Sequence, residues 1–145
     1  MMVTDTTNIS TTDGDLQIKE IVDALSHKRD THIYSYDTKR RKMINATVSS
    51  TRGSSTRELI YIETDYDEVK ILLTNKHRVF VLGDKRFKRA DELLKGESLK
   101  HIDDIDVNVI KVHTINNNTH QQVYTLTTDS SDCYFANNIL IHSND

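Results

Sequence analysis

Apolar and polar positions alternate through most of this chain, and the period of two predicts strands. Ile33-Tyr34-Ser35-Tyr36-Asp37 alternates and ends in a turn, Thr38-Lys39-Arg40-Arg41-Lys42; residues 43–48 read as the return strand of a hairpin. Residues 59–64 and 68–73 are two more strands, joined by Asp65-Tyr66-Asp67, and Val79-Phe80-Val81-Leu82 follows. Residues 107–112 and 123–126 are strands flanking the polar stretch 116–120. Near the end, Tyr124, Leu126 and Thr128 alternate, and Asp129-Ser130-Ser131-Asp132 is a polar turn. Asn137-Asn138 is a two-residue turn signal that tolerates positive φ. Ile139-Leu140-Ile141 is too short an apolar run for a helix and reads as a buried strand.

Only two segments break that period. Ile18, Ile21, Val22 and Leu25 fall at i, i+3, i+4 and i+7, which predicts a short amphipathic helix over residues 17–25. Residues 87–99 read as a second short helix stopped by Gly96. Residues 1–12 are a polar, Thr-rich leader or an extended strand carrying Val3 and Ile9, and Asp13-Gly14 closes a turn. Residues 49–56 read as a polar, Gly-containing loop and residues 102–106 as an acidic linker. About ten short strands with frequent turn signals and two short helices predict an all-β single domain over residues 1–145.

Composition narrows this further. The 145 residues suffice for one core, which 36% apolar but only 6% aromatic content, with no Trp, makes aliphatic. Pro is absent and Gly is four, so the turns rest on Asn, Asp, Ser and Thr. A net charge of −3 argues against a nucleic-acid-binding domain. A single cysteine excludes an internal disulfide. No apolar run approaches the roughly 18 residues of a membrane span, and no signal peptide is visible. The expectation is a soluble, monomeric, cytoplasmic protein that binds neither nucleic acid nor membrane. The basic runs at 39–42 and 85–89 read as solvated hairpin tips; a small β-barrel binding module with a basic face is the alternative.

The candidate chemistry lies at Thr74-Asn75-Lys76-His77, between two strands, and at the terminal His142-Ser143-Asn144. On spacing alone the first is a turn and the second a hairpin with a polar tail. Both resemble motifs of inteins, the protein-splicing elements with the Hint fold. Cys133-Tyr134-Phe135-Ala136-Asn137-Asn138-Ile139-Leu140-Ile141-His142 is similar to the C-terminal intein motif, in which an aromatic pair, Asn-Gly and an aliphatic triplet lead into His-Asn. Val3-Thr4-Asp5-Thr6-Thr7-Asn8-Ile9-Ser10, followed by Asp13-Gly14 and Ile18-Lys19-Glu20-Ile21, resembles the N-terminal motif. Thr74-x-x-His77 matches the second catalytic motif, and the likeness covers nearly the whole chain.

The resemblance implies a flattened β horseshoe with both chain ends at its centre. It also implies excision of the chain from flanking extein polypeptides, and their ligation, by acyl shift, transesterification and Asn cyclisation. No metal, nucleotide or other cofactor is implied. In the family the counterpart of His77 hydrogen-bonds and protonates the amide nitrogen of the first scissile bond, and that of Thr74 helps polarise its carbonyl. Residues 97–106 are where relatives are split or carry an endonuclease; a complementary fragment would then be a partner, and this chain leaves no room for an endonuclease.

Both junctions depart from the pattern. The first nucleophile, Ser or Cys in the family, falls at Met2, or at Met1 in a second register, and a thioether has no proton to lose. The neighbouring Val3-Thr4 resembles the Ser-Val-Thr opening of inteins in family B DNA polymerases, which implies an original Ser. Ser143 stands where Asn is usual. Three registers remain: Ser143 in place of Asn, Asn144 as the cyclising residue displaced by one, or Asn missing with Ser143 as the downstream nucleophile. Asp132 replaces a frequent His, Thr125 a frequent Asp, and Asn138 the usual Gly. Cys133, away from either junction, reads as a half-buried ordinary cysteine. The expectation is a splicing domain disabled at its junctions, with a Hint-type autoprocessing domain that does not ligate as the alternative.

Overall fold

The computed structural model describes residues 2–143; Met1, Asn144 and Asp145 lie outside the described residues. The chain begins with β1 (Val3–Thr4), then β2 (Asn8–Thr11) and β3 (Gly14–Gln17) as a hairpin turned at Thr12-Asp13, with Gly14 at φ 101°. Helix α1 (Ile18–Ser26) follows and buries Ile18 and Ile21. β4 (His32–Asp37) pairs with the start of β5 (Lys42–Thr64) in the expected hairpin, Asp37 opposite Lys42. β6 (Lys70–Leu73), β7 (Arg78–Val81), β8 (Arg86–Arg89) and β9 (Ser98–Leu99) lead into β10 (Val107–Thr128). β11 (Cys133–Ala136) and β12 (Ile139–His142) end the described chain.

Two expectations are corrected by tertiary pairing. The stretch 49–56, read as a loop, and the polar stretch 116–120, read as separating two strands, lie inside the two longest strands: β5 and β10 pair from Val48–Thr128 to Thr64–Val109. Residues 49–58 and 116–120 are mostly solvent-exposed, so these stretches have no buried face to impose alternation. The expected interruption survives as an irregularity between Asn116 and Gln121. Gly53 serves close approach rather than a turn, because a Cβ there would come within 2.9 Å of the Tyr124 ring. The second helix also gives way. Residues 86–89 pair with β7, Phe87 opposite Phe80 with their rings edge to face at 5.2 Å, and only Ala90–Glu92 forms a 3-10 turn. Gly96, at φ 93°, sits in the turn beyond.

Hydrogen bonding links the strands in the order β11-β12-β7-β9-β10-β1-β6-β5-β4-β2-β3, and β11 also pairs with β2 through Ala136 and Ile9. That last pairing sets β11, at one end of this order, against β2, next to its other end, and β10 also pairs with β5. The core is aliphatic as expected, with Ile9, Ile18, Ile33, Ile62, Leu73 and Leu99 fully buried, while Tyr134 and Phe135 are its largest buried side chains. Cys133 is fully buried rather than half-buried, packed with Phe80, Phe135 and Leu140. No helix among the described residues is long and apolar enough to cross a membrane.

The Asn137-Asn138 turn locks this closure. Both residues have positive φ, 47° and 68°. Asn137 also ties three segments together: its Oδ1 accepts from Asn8 N at 2.8 Å, its Nδ2 donates to Lys70 O at 2.7 Å, and its own amide donates to Asn8 O. Asn137→Ala removes two side-chain hydrogen bonds and leaves an alanine in the left-handed region, so it should lower stability in urea unfolding by about 2–3 kcal/mol. Asn138→Gly should be neutral or stabilising in the same measurement, because it only relieves the backbone.

Candidate functional site

β1 is held between β10 and β6, with Val3 opposite both Tyr124 and Leu73. This places Met2 beside Thr74, the first residue past β6. The Thr74 amide donates to Met2 O at 2.9 Å, and Met2 N donates to Thr74 Oγ1 at 2.8 Å. The peptide nitrogen preceding Met2 is therefore held by the threonine hydroxyl. A tight turn follows, His77 N donating to Thr74 O, and it leaves His77 completely buried at the start of β7.

β7 pairs with β12, Val79 opposite Ile141, and so His77 faces the last strand. Its Nε2 lies 2.7 Å from His142 O. A carbonyl only accepts, so Nε2 carries the proton in the neutral ring and Nδ1 presents a lone pair. Nδ1 has no hydrogen-bond partner among the described residues. Burial pushes the His77 pKa down to about 4; the His142 and Met2 carbonyls beside the ring favour its protonated form but do not offset the burial. At neutral pH His77 is an uncharged imidazole, donating to one chain end while its open nitrogen lies in the same buried site as the other.

The C-terminal side is equally well held. The His142 ring packs edge to face on Phe87 at 4.9 Å, and its Nε2 lies 3.4 Å from Asp132 Oδ2. Ser143 is buried; its amide donates to Asp132 O at 2.7 Å, and its carbonyl accepts from Thr125 Oγ1 at 3.0 Å. Its own hydroxyl has no partner among the described residues. Thr125 also lies 3.4 Å from the hydroxyl of Tyr134, whose pKa burial pushes up to about 12. Burial likewise raises the Cys133 thiol, which keeps it protonated and unreactive at neutral pH.

The fold thus gathers Met2, Thr74, His77, Asp132, His142 and Ser143 around one point; Asn144 lies outside the described residues. The amide nitrogen expected to meet His77 is engaged by Thr74 instead, and His77 engages the opposite chain end. Thr125 stands out in the sequence only as a departure from the family pattern; nothing in its alternating strand marks it as a donor to the Ser143 carbonyl. Elsewhere the two basic tips meet, Lys39, Arg41 and Lys85 lining a cleft of about 270 Å³ with Tyr36, Phe80 and Lys100.

No family model matches this sequence, and no curated protein matches it significantly. Solved structures do. A bacterial intein-like domain from Clostridium thermocellum superposes with a TM-score of 0.85 at 21% identity, over 97% of each chain. A DnaB intein from Synechocystis sp. gives 0.83 at 21% identity over 99% of each chain. The gp41-1 intein gives 0.73 at 14% identity over 97% of each chain. At these identities the likeness shows the fold: this chain has the all-β Hint fold of inteins.

Because His77 falls from the ordinary 6.5 to about 4 on folding, the unfolded chain binds more protons between those values. The associated stability is fully present above about pH 6.5 and is lost as pH falls towards 4, a change of about 3 kcal/mol. Urea unfolding followed across that range should show the loss, and His77→Gln should flatten the profile.

Proposed function

We propose that this chain is a protein-splicing domain of the intein type, acting on polypeptide joined to its two ends. The observation that supports the reading is the convergence of both ends on His77, which a splicing reaction requires and a binding module does not. With a Ser or Cys at position 2, its side chain would attack the preceding carbonyl and convert that amide to an ester or thioester. Thr74 Oγ1 orients the departing nitrogen, and the open Nδ1 of His77 is the general base and then acid in the same buried site. At the other end, an Asn at position 143 would cyclise onto its own carbonyl, where Thr125 already donates to the oxygen that becomes negative. His142, fixed between Phe87 and Asp132, assists that step.

In this chain both steps are blocked in the register that puts the cyclising residue at 143. Met2 offers a thioether, which cannot be deprotonated. Ser143 cannot replace Asn in the cyclisation, because its hydroxyl would have to close a strained four-membered lactone on its own carbonyl. The chain fused between two reporter proteins should therefore give no ligated product by gel and mass spectrometry. Met2→Ser combined with Ser143→Asn, and a Ser as the next residue, should give ligation, which His77→Ala then abolishes. Ligation by the unaltered chain, or none by the repaired one when folded, contradicts the reading.

The complementary-fragment reading has a sharper location than the full stretch 97–106. Leu99, Lys100 and His101 are buried, and His101 bridges to Ile139. Asp103 and Asp104 are exposed, and Asp104 takes a left-handed turn at φ 58°. Pieces cut between Asp103 and Asp104 part β10 from β1, β5 and β9 and the β11–β12 hairpin from β2 and β7, so neither piece can bury its strands alone. Mixed at micromolar concentration, they should co-elute in size exclusion and gain strand signal in circular dichroism; pieces that stay apart contradict this.

A further inference from the structure

We propose that Ser143 is itself a self-cleaving nucleophile, acting on the carbonyl that precedes it, that of His142. This rests on the reading of the C-terminal end as a processing junction, but it needs neither Met2 nor asparagine cyclisation. Three observations carry it. The Ser143 hydroxyl is buried and without a hydrogen-bond partner among the described residues, a costly arrangement for a serine with only a structural role. The His142 oxygen, where negative charge would develop, lies 2.7 Å from His77 Nε2, a donor on a buried ring. The peptide between them is clamped, the Ser143 amide donating to Asp132 O and the Ser143 carbonyl accepting from Thr125. Met2, the residue at the other end of the same cluster, has no hydroxyl or thiol to compete.

The step closes a five-membered ring. Ser143 Oγ adds to the His142 carbonyl carbon, and the charge on His142 O is held by His77. The carbon–nitrogen bond to Ser143 then breaks, and the hydroxyl proton passes to the departing nitrogen. The result is an ester between the His142 acyl group and Ser143 Oγ, with a free amine on Ser143. Water hydrolyses the ester, leaving a carboxylate on His142 and restoring the Ser143 hydroxyl, so the net reaction is hydrolysis of one peptide bond.

The test uses the full chain with a reporter protein fused after Asp145, incubated at neutral pH with and without hydroxylamine. Hydroxylamine should accelerate release of a reporter beginning at Ser143, and the other product should end at His142 as a hydroxamate by mass spectrometry. Ser143→Ala should stop release. Ser143→Cys should make the same bond cleavable by added thiol through a thioester, which separates chemistry from folding. His77→Gln should slow release about a hundredfold with an unchanged circular dichroism spectrum. A product ending at Asn144 as a succinimide overturns the proposal. So does scission that survives Ser143→Ala, or a folded Ser143→Cys chain that thiol leaves intact. Ligation by the repaired Met2→Ser, Ser143→Asn chain is read separately: if it succeeds while scission here fails, only the Ser143 step is lost.

Discussion

The pairing of Ile9 with Ala136 is the contact on which the rest of the structure depends. The pairing of β10 with β5 already closes one ring of strands through β1 and β6, and the Ile9–Ala136 pair adds a second closure between β2 near the N-terminus and β11 near the C-terminus. The Asn137 side chain bridges Asn8 to Lys70 across this second seam. Closing a loop that long costs chain entropy, which grows only slowly with length. Burial of Ile9, Tyr134, Phe135 and the aliphatic triplet at Ile139, Leu140 and Ile141 offsets it.

Closure also sets the electrostatics. His77 is buried because β7 is sandwiched between β12 and β9, and burial is what keeps its imidazole neutral. A neutral imidazole has one donor and one acceptor. The donor is committed to the His142 carbonyl, so the acceptor is left open within the site that also holds the Met2 backbone. One ring can thus neighbour both the Met2 and His142 backbones only because the strands bring these two segments together. Thr74 completes the arrangement by holding the Met2 amide from both directions.

Much of this was legible in the sequence where the governing physics is local. The helix from Ile18, the hairpin around Asp37, the Asn137-Asn138 turn and the buried terminal strand all follow from period, turn chemistry and propensity. The continuity of β5 and β10 through 49–58 and 116–120 was not, because these exposed stretches carry no apolar alternation and mimic loops. The segment after Phe87 was misread as helix because pairing with β7 overrides a weak local preference. At the site, Met2, Thr74, His77, Asp132, His142 and Ser143 could be named from the chain. Which carbonyl His77 meets, and that Thr125 reaches Ser143, depends on strand register across distant segments, which no local pattern encodes.

The central claim is that one buried imidazole acts on both chain ends. It is tested most directly in the chain repaired at positions 2 and 143 by measuring scission at each junction separately in His77 variants. The account predicts that His77→Ala and His77→Gln slow both scissions while the fold, followed by circular dichroism, persists. A folded variant in which one junction keeps its full rate while the other falls would contradict a shared site.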